Sequence, residues 1–311
     1  MARFRPKKTG LIFTIVFAAA FLAAIGITLS SYGIIKGLPT WGEILNQAPA
    51  PSAGEVLSGN RVCFIDCGQG DCEAVISNEN VTVIDSGPAA NKRSTVQNLK
   101  NAGVTRIDNL VLTHPHEDHI GGAVQILEDF EVGRIFMIKP SKTPNTQTYL
   151  NLLKKIDEKG LTITVPEIGS DFKCGDFTFR FLGPLKDYND SNNNSIVIKA
   201  SVGGKSFLFT GDAEGKPESD LVEEYGSELK CDILKVGHHG SRTSTKAKFY
   251  KAVSPKIAVI SCGEDNDYGH PHGETLKTLS NITVYRTDLN GTITVGVDGG
   301  ELKVAVSKDI R

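Results

Sequence analysis

From Arg61 onward the chain reads as short apolar runs separated by turns and amphipathic stretches. RVCFID, EAVIS and VTVID, broken by GQGD and NEN, predict three strands. Ser94 with Gln97 forms a capping-box pattern for a helix ending at Gly103. NLVLT (109–113) is apolar enough to predict a strand buried on both faces. In QTYLNLLKKIDEK (147–159), Leu150, Leu153 and Ile156 recur at helical spacing, and Gly160 ends the run. FTFRFLG, SIVIKASV and SFLFTGD follow as strands, with Gly203-Gly204 a hairpin turn between the last two. DILKVG and KIAVIS predict two further strand–helix units, and Asn290-Gly291 a final hairpin. Many short strands with intervening helices imply an α/β architecture of sheets covered by helices. No repeat and no second linker interrupts the pattern, so residues 61–308 form one domain.

Before Arg61 the pattern changes. MARFRPKK is basic, and Leu11 to Ile35 carries no charge, a length that can cross about 30 Å of hydrocarbon as a helix. A cleaved signal peptide shares the basic start, but its apolar region is usually only about 7–15 residues long. No small-x-small cleavage site follows Ser30, so residues 1–36 read as an uncleaved transmembrane anchor in preference to a signal segment. Both alternatives put the remainder outside the cytoplasm, held at the cell membrane by a single pass or secreted. Residues 37–60, rich in Pro, Ala, Ser and Gly, form a linker.

Length and composition narrow the picture modestly. The 311 residues, 40% hydrophobic and 23% charged, describe an ordinary folded protein with one large domain or two small ones. Net charge is −2, but Arg3, Arg5, Lys7, Lys8 and Lys36 are the only charges before Thr40, so the rest stands at −7. That argues against broad electrostatic capture of nucleic acid while leaving room for a local basic groove. The cysteines (Cys63, Cys67, Cys72, Cys174, Cys231 and Cys262) fit no CxxC zinc pattern, and either disulfides or buried thiols are compatible with them.

The seven histidines fall in three short clusters. LTHPHEDHIGG places His114, His116, Asp118 and His119 directly after a buried strand. Residues two apart on an extended chain point the same way, so His114 and His116 can share one ion. A turn at Gly121-Gly122, with a helix beginning there, would then let Asp118 and His119 face a second position. Imidazoles mixed with carboxylates suit Zn²⁺, with Mn²⁺ or Fe as alternatives. Asp212 ends SFLFTGD, where one carboxylate can bridge two ions as a two-metal hydrolase requires. His238 and His239 follow the strand DILKVG; on an extended chain they point oppositely, which favours His238 as the ligand and His239 behind it or near substrate. In YGHPHGE, His270 and His272 can contact a phosphate or act as general acid, although turn-forming polar residues look similar. Ser241 and Arg242 of HHGSR can hold an anionic group.

The order IDSG, THPHEDHIGG, NNNSIVI, LFTGD and LKVGHHGS resembles the metallo-β-lactamase-fold hydrolases over nearly the whole of the domain. GQGDCEAVI, NNNSIVI, VGHHGSRTS and YGHPH are similar in particular to the metallo-β-lactamase domain of competence DNA-uptake channel proteins of the ComEC type. Teichoic acid phosphorylcholine esterase is a similar relative. The resemblance implies a four-layer αββα sandwich with a dinuclear site at one edge, binding two divalent ions, Zn or Mn. It assigns His114 and His116 to the first ion, and Asp118, His119 and His238 to the second. Asp212 would bridge, and Asp85 would brace the loop. Many relatives carry one more first-site histidine, but none lies between His119 and His238; Asn194 takes its place, as in the competence branch. An amide oxygen is a weaker, harder donor, so the first ion is expected to be loosely held, or Mn²⁺ to be favoured. Cys72 precedes a strand and is not expected to ligate.

The resulting expectation is a monomeric, membrane-anchored, extracytoplasmic metallohydrolase. It is read as a phosphodiesterase, with nuclease action on DNA at the cell surface leading and a phosphate-containing cell-wall polymer as the rival substrate. Asp118, Asp212 and His270 would carry the chemistry. β-Lactamase or thioesterase activity is disfavoured by Asn194 and the HHGSR loop. A non-catalytic surface module binding DNA or wall polymer is the alternative of another class, separable by its metal content.

Overall fold

A computed structural model describes residues 21–30, 34–35, 52–53, 57–140 and 143–308. Residues 21–30 are helical, and among the described residues no helix is long and apolar enough to cross a membrane. Most of the expected anchor over 1–36 and of the linker over 37–60 lies outside the described residues.

In chain order the strands are β1 (Ser52–Ala53), β2 (Asn60–Phe64), β3 (Glu73–Ser77), β4 (Asn80–Ile84), β5 (Ile107–Leu112), β6 (Val132–Met137), β7 (Ile163–Thr164) and β8 (Asp171–Cys174). They continue through β9 (Phe177–Gly183), β10 (Val197–Val202), β11 (Lys205–Phe209), β12 (Ile233–Lys235), β13 (Ile257–Ile260), β14 (Thr283–Arg286), β15 (Ile293–Asp298) and β16 (Glu301–Val306). One sheet runs β1-β16-β15-β2-β3-β4-β5-β6-β7, the other β14-β13-β12-β11-β10-β9-β8.

Alternation along the strands builds the layers. Val62 and Phe64 of β2, Val111 of β5, and Phe207 and Phe209 of β11 all enter one core between the sheets. Their neighbours Cys63, Leu110 and Leu112 face outward into a second core against the helices Lys92–Asn101, Ala123–Asp129 and Gln147–Glu158. Leu208 and Leu234 face a third, against Gly215–Tyr225 and Ala247–Val253. Strands apolar on both faces therefore yield the expected αββα sandwich.

Several local expectations shift. Ser94 lies inside its helix and bonds back to the Asn91 carbonyl, so it caps nothing. Along Gln147–Glu158 the buried face is Tyr149, Leu152 and Ile156, while Leu150 is exposed. Gly203-Gly204 does turn β10 into β11. Asn290-Gly291 ends a short helix instead of making a hairpin; Gly299 and Gly300, both at positive φ, turn β15 into β16. All six cysteines are buried free thiols.

β4 and β5 are parallel, as are β11, β12 and β13. Their carboxyl ends consequently gather at one edge of the sandwich, where ligands of such sheets bind. Asp85, His114, Asp212 and His239 all leave the sheets there.

Candidate metal centre

Asp85 follows β4 with a left-handed backbone (φ 57). One of its oxygens accepts the Thr113 backbone N–H at 2.7 Å; the other lies 2.7 Å from both the Thr113 hydroxyl and His119 Nδ1. Donation of the Thr113 hydroxyl to Asp85 leaves its oxygen to accept from His114 Nδ1, 3.1 Å away. Ser195 Oγ lies 3.3 Å from the same nitrogen and accepts the Asp212 N–H at 3.0 Å. Both imidazoles are thereby held at Nδ1, turning Nε2 toward the centre.

The helix Glu117–Ile120 begins before the glycines, with His116 as its N-cap. Its first turn swings Asp118 and His119 away from the direction of His114 and His116. Gly121 and Gly122 are required for a different reason than a turn. A Cβ on Gly122 would lie 2.2 Å from the Ser86 carbonyl oxygen, and one on Gly121 would lie 2.3 Å from the Ala89 nitrogen. Only bare backbone lets the HIGG segment press on the IDSG loop.

Asp212 is the pivot. Its Oδ1 lies 3.2 Å from His119 Nε2 and 3.6 Å from His239 Nε2. Its Oδ2 lies 3.7 Å from His114 Nε2 and 3.6 Å from His238 Nε2. Two donor groups result: Asp118, His119, Asp212 and His239 on one side, and His114, His116 and Asp212 on the other.

The expected preference for His238 over His239 is reversed by this geometry. Gly237–Gly240 is not extended; His238 and His239 both adopt left-handed backbone, at φ 49 and 52. The chain thus wraps round the Asp212 carboxylate and presents one ring to each oxygen. Buried His239 reaches Asp118 Oδ2 at 3.1 Å, joining the Asp118/His119 group. Half-buried His238 lies on the His114 side, with Nδ1 3.3 Å from Glu214.

Asn194 is also corrected. Its Oδ1 accepts the Tyr188 N–H at 2.8 Å and its Nδ2 donates to Asp187 at 2.9 Å, so the amide braces the 187–194 loop. His238, not Asn194, supplies the further donor beside Asp212 Oδ2.

His270 and His272 lie at the rim, their rings 4.9 Å apart, with His270 5.5 Å from the His238 ring. Burial lowers His270 to about 4, helped by the neighbouring His239, His238 and His272, so at pH 7 it is neutral, able to donate a hydrogen bond but without the extra proton a general acid must carry. His272 Nδ1 accepts the Arg242 N–H at 3.1 Å, and the Arg242 side chain is exposed. Ser241 is buried, its hydroxyl 2.9 Å from that of Thr243, and so lies behind the rim.

Two residues were missed by the sequence reading. Asp71 Oδ1 lies 3.1 Å from His239 Nδ1, which also bonds the Ser261 carbonyl at 3.0 Å. Its other oxygen takes Lys235 at 2.6 Å. The GQGD motif, a carboxylate set among glycines between two apolar strands, was the available signal.

The donor chemistry fits divalent cations. His114 Nε2, His119 Nε2 and Asp212 Oδ1 are buried and have no hydrogen-bond partner, an arrangement costly unless something positive joins them. Burial opposes charge on His119 and His239, yet the surrounding carboxylates, Asp212 foremost, raise both, His239 to about 10. The pocket demands positive charge, and two divalent ions are what this donor set accommodates.

Comparison with known proteins agrees. The chain is 37% identical over 198 residues to ComE operon protein 3 of Bacillus subtilis (strain 168), covering 63% of this chain and 25% of that protein. It is 33% identical over 273 residues to competence protein ComA of Neisseria gonorrhoeae, covering 86% and 37%. The chain thus spans only a quarter to about a third of these relatives. The metallo-β-lactamase fold protein YhfI from Bacillus subtilis superposes with a TM-score of 0.50 at 12% identity, over 74% of this chain and 96% of that one, which speaks to the fold alone. The family model described as metallo-beta-lactamase superfamily matches residues 65–264, and the chain belongs to that superfamily, in the branch of the competence proteins.

Proposed function

We infer that the protein is a two-metal phosphodiesterase that cleaves DNA outside the cytoplasm. The observation that carries this reading is the pair of donor groups on opposite oxygens of Asp212, with unpartnered imidazole nitrogens facing each. Ions held there would supply Lewis acidity and a nucleophile derived from water at neutral pH. His114, His116 and Asp212, with His238 alongside, would hold one; Asp118, His119, Asp212 and His239 the other. Asp85 fixes the ring orientation of His119, and the Ser261 carbonyl, with Asp71 alongside, that of His239. Neutral His270 is placed to donate to a non-bridging phosphate oxygen, and Arg242 to neutralise the flanking phosphate. Because His238 stands where Asn194 was expected to act, the first position need not be the weaker one.

The extracytoplasmic, membrane-anchored location rests on the basic start and the uncharged stretch from Leu11 to Ile35. A phosphate-containing wall polymer is the second reading, favoured by the −7 charge of the chain beyond residue 40.

The test is hydrolysis of bis(p-nitrophenyl) phosphate by the full chain with Mn²⁺ or Zn²⁺, against His116→Ala. Activity in the wild type and not in the variant is expected; equal rates would remove the hydrolase reading. Single-stranded DNA, duplex DNA, teichoic acid and a phosphorylcholine ester then rank the substrates.

A further inference from the structure

Among the Phe, Tyr and Trp side chains of the described residues from Leu57 onward, Tyr268 is the one that is exposed, 66% accessible. Such a ring costs about 1 kcal/mol or more in lost burial, so its position matters. It lies face to face with His270, centroids 5.6 Å apart and planes inclined by 20°. His270 in turn stacks on His239 at 6.1 Å and 28°. The layering Tyr268–His270–His239 thus runs from solvent to the donor group around Asp212.

The loop that carries Tyr268 is tied down on both sides. Asn266 Nδ2 donates to the carbonyls of Gly263 and His270, at 2.9 and 2.6 Å, and Asn266 Oδ1 accepts the His270 N–H at 3.0 Å. Gln69 Oε1 accepts the Gly263 N–H at 3.0 Å, joining the loop to the GQGD segment. The outer face of the ring is therefore presented by a fixed support. Beside it, across His272, stand the exposed cations Arg242 and Lys246, whose Nζ donates to the Arg242 carbonyl at 2.6 Å. Glu264, Asp265 and Asp267, all exposed, belong to the same loop as the tyrosine. A polyanion would find its cations at Arg242 and Lys246, and one of its bases could meet the tyrosine.

We propose that Tyr268 is a stacking platform for an unpaired nucleobase next to the scissile phosphodiester, making single-stranded nucleic acid the preferred substrate. The inference rests on the phosphodiesterase reading and narrows it. An aromatic face beside cations is the combination by which single strands are held without sequence preference. A duplex keeps its bases stacked on one another, and a polyol-phosphate polymer has no ring to offer.

The test uses the metal-loaded full chain and a ten-residue oligodeoxythymidylate carrying one 2-aminopurine. Wild type and Tyr268→Phe are expected to quench the 2-aminopurine fluorescence and bind with similar affinity. Tyr268→Leu should lose the quench and raise KM or Kd about tenfold, in line with the usual contribution of one stacked base. On a strand with an abasic site in place of the 2-aminopurine, wild type and Tyr268→Leu should bind alike. Equal quenching by wild type and Tyr268→Leu would overturn the proposal, as would a wild-type preference for duplex or for teichoic acid. Failure of the wild type to hydrolyse bis(p-nitrophenyl) phosphate would instead strike the phosphodiesterase reading, and the quench, needing no turnover, would still judge the platform.

Discussion

The Lys235 ammonium lies 2.6 Å from the Asp71 carboxylate, with both side chains almost sealed from solvent. Lys235 shares a strand face with Ile233, so it points between the sheets, beneath the metal centre. Burial works against both charges, but their mutual attraction prevails, holding Asp71 at about 2 and raising Lys235. Lys235→Met would strand the Asp71 charge, an effect of about 3–5 kcal/mol. The double variant Asp71→Asn/Lys235→Met should recover a large part of it. Urea midpoints of the three proteins check this; a wild-type midpoint for Lys235→Met would contradict the pairing.

Asp85 governs His119 through a 2.7 Å contact to Nδ1. Asparagine at position 85 would offer an amide N–H or a weaker acceptor there, loosening the ring and lowering its basicity. Such loss of support typically costs about 10- to 100-fold in metal affinity. Competition with a chromophoric chelator should show Asp85→Asn binding Zn²⁺ that much more weakly while its circular dichroism matches wild type. Unchanged affinity would mean that Asp85 serves the Thr113 turn alone.

Metal removal should destabilise the fold, because His114 Nε2, His119 Nε2 and Asp212 Oδ1 are then left buried without partners. By mass action, a free ion at 100 times its Kd adds about 2.7 kcal/mol for one site. Scanning calorimetry is expected to show a higher unfolding temperature with Zn²⁺ or Mn²⁺ than with chelator. Asp212→Ala removes the group shared by both donor sets, so it should abolish most of that difference and reduce bound metal to one ion or fewer. Two tightly held ions in Asp212→Ala would rule out the bridging role.

What the sequence made legible follows from local physics. NLVLT is apolar on both faces and lies between two cores, so its burial was written in five residues. The cluster from His114 to His119 is compact, and four of its members, His114, His116, Asp118 and His119, gather round Asp212. Asp71 and Lys235 were not readable because their contact joins residues 164 positions apart across two sheets. His238 and His239 misled for a different reason. Alternation presumes extended backbone, and two successive left-handed residues break that presumption. Asn194 failed similarly, since its place in the order said nothing of the amide's bonds to Tyr188 and Asp187.

Glu218, buried in the helix Gly215–Tyr225, gives a pH signature away from the metal centre. Burial pushes it up to about 7, against the Lys246 and Thr245 backbone N–H groups that favour its charged form. Its ordinary value is 4.5, so between pH 4.5 and 7 the folded protein keeps a proton that the unfolded chain has released. Stability therefore falls as pH rises through that window, by at most about 3 kcal/mol at 1.36 kcal/mol per unit. Glu218→Gln cannot titrate, and its one amide oxygen serves only one of the two N–H groups, a loss of about 1 kcal/mol. Urea midpoints measured from pH 4.5 to 7 should decline less steeply in Glu218→Gln than in wild type. Parallel declines would assign the slope to other groups and leave Glu218 charged throughout, held by the two backbone amides.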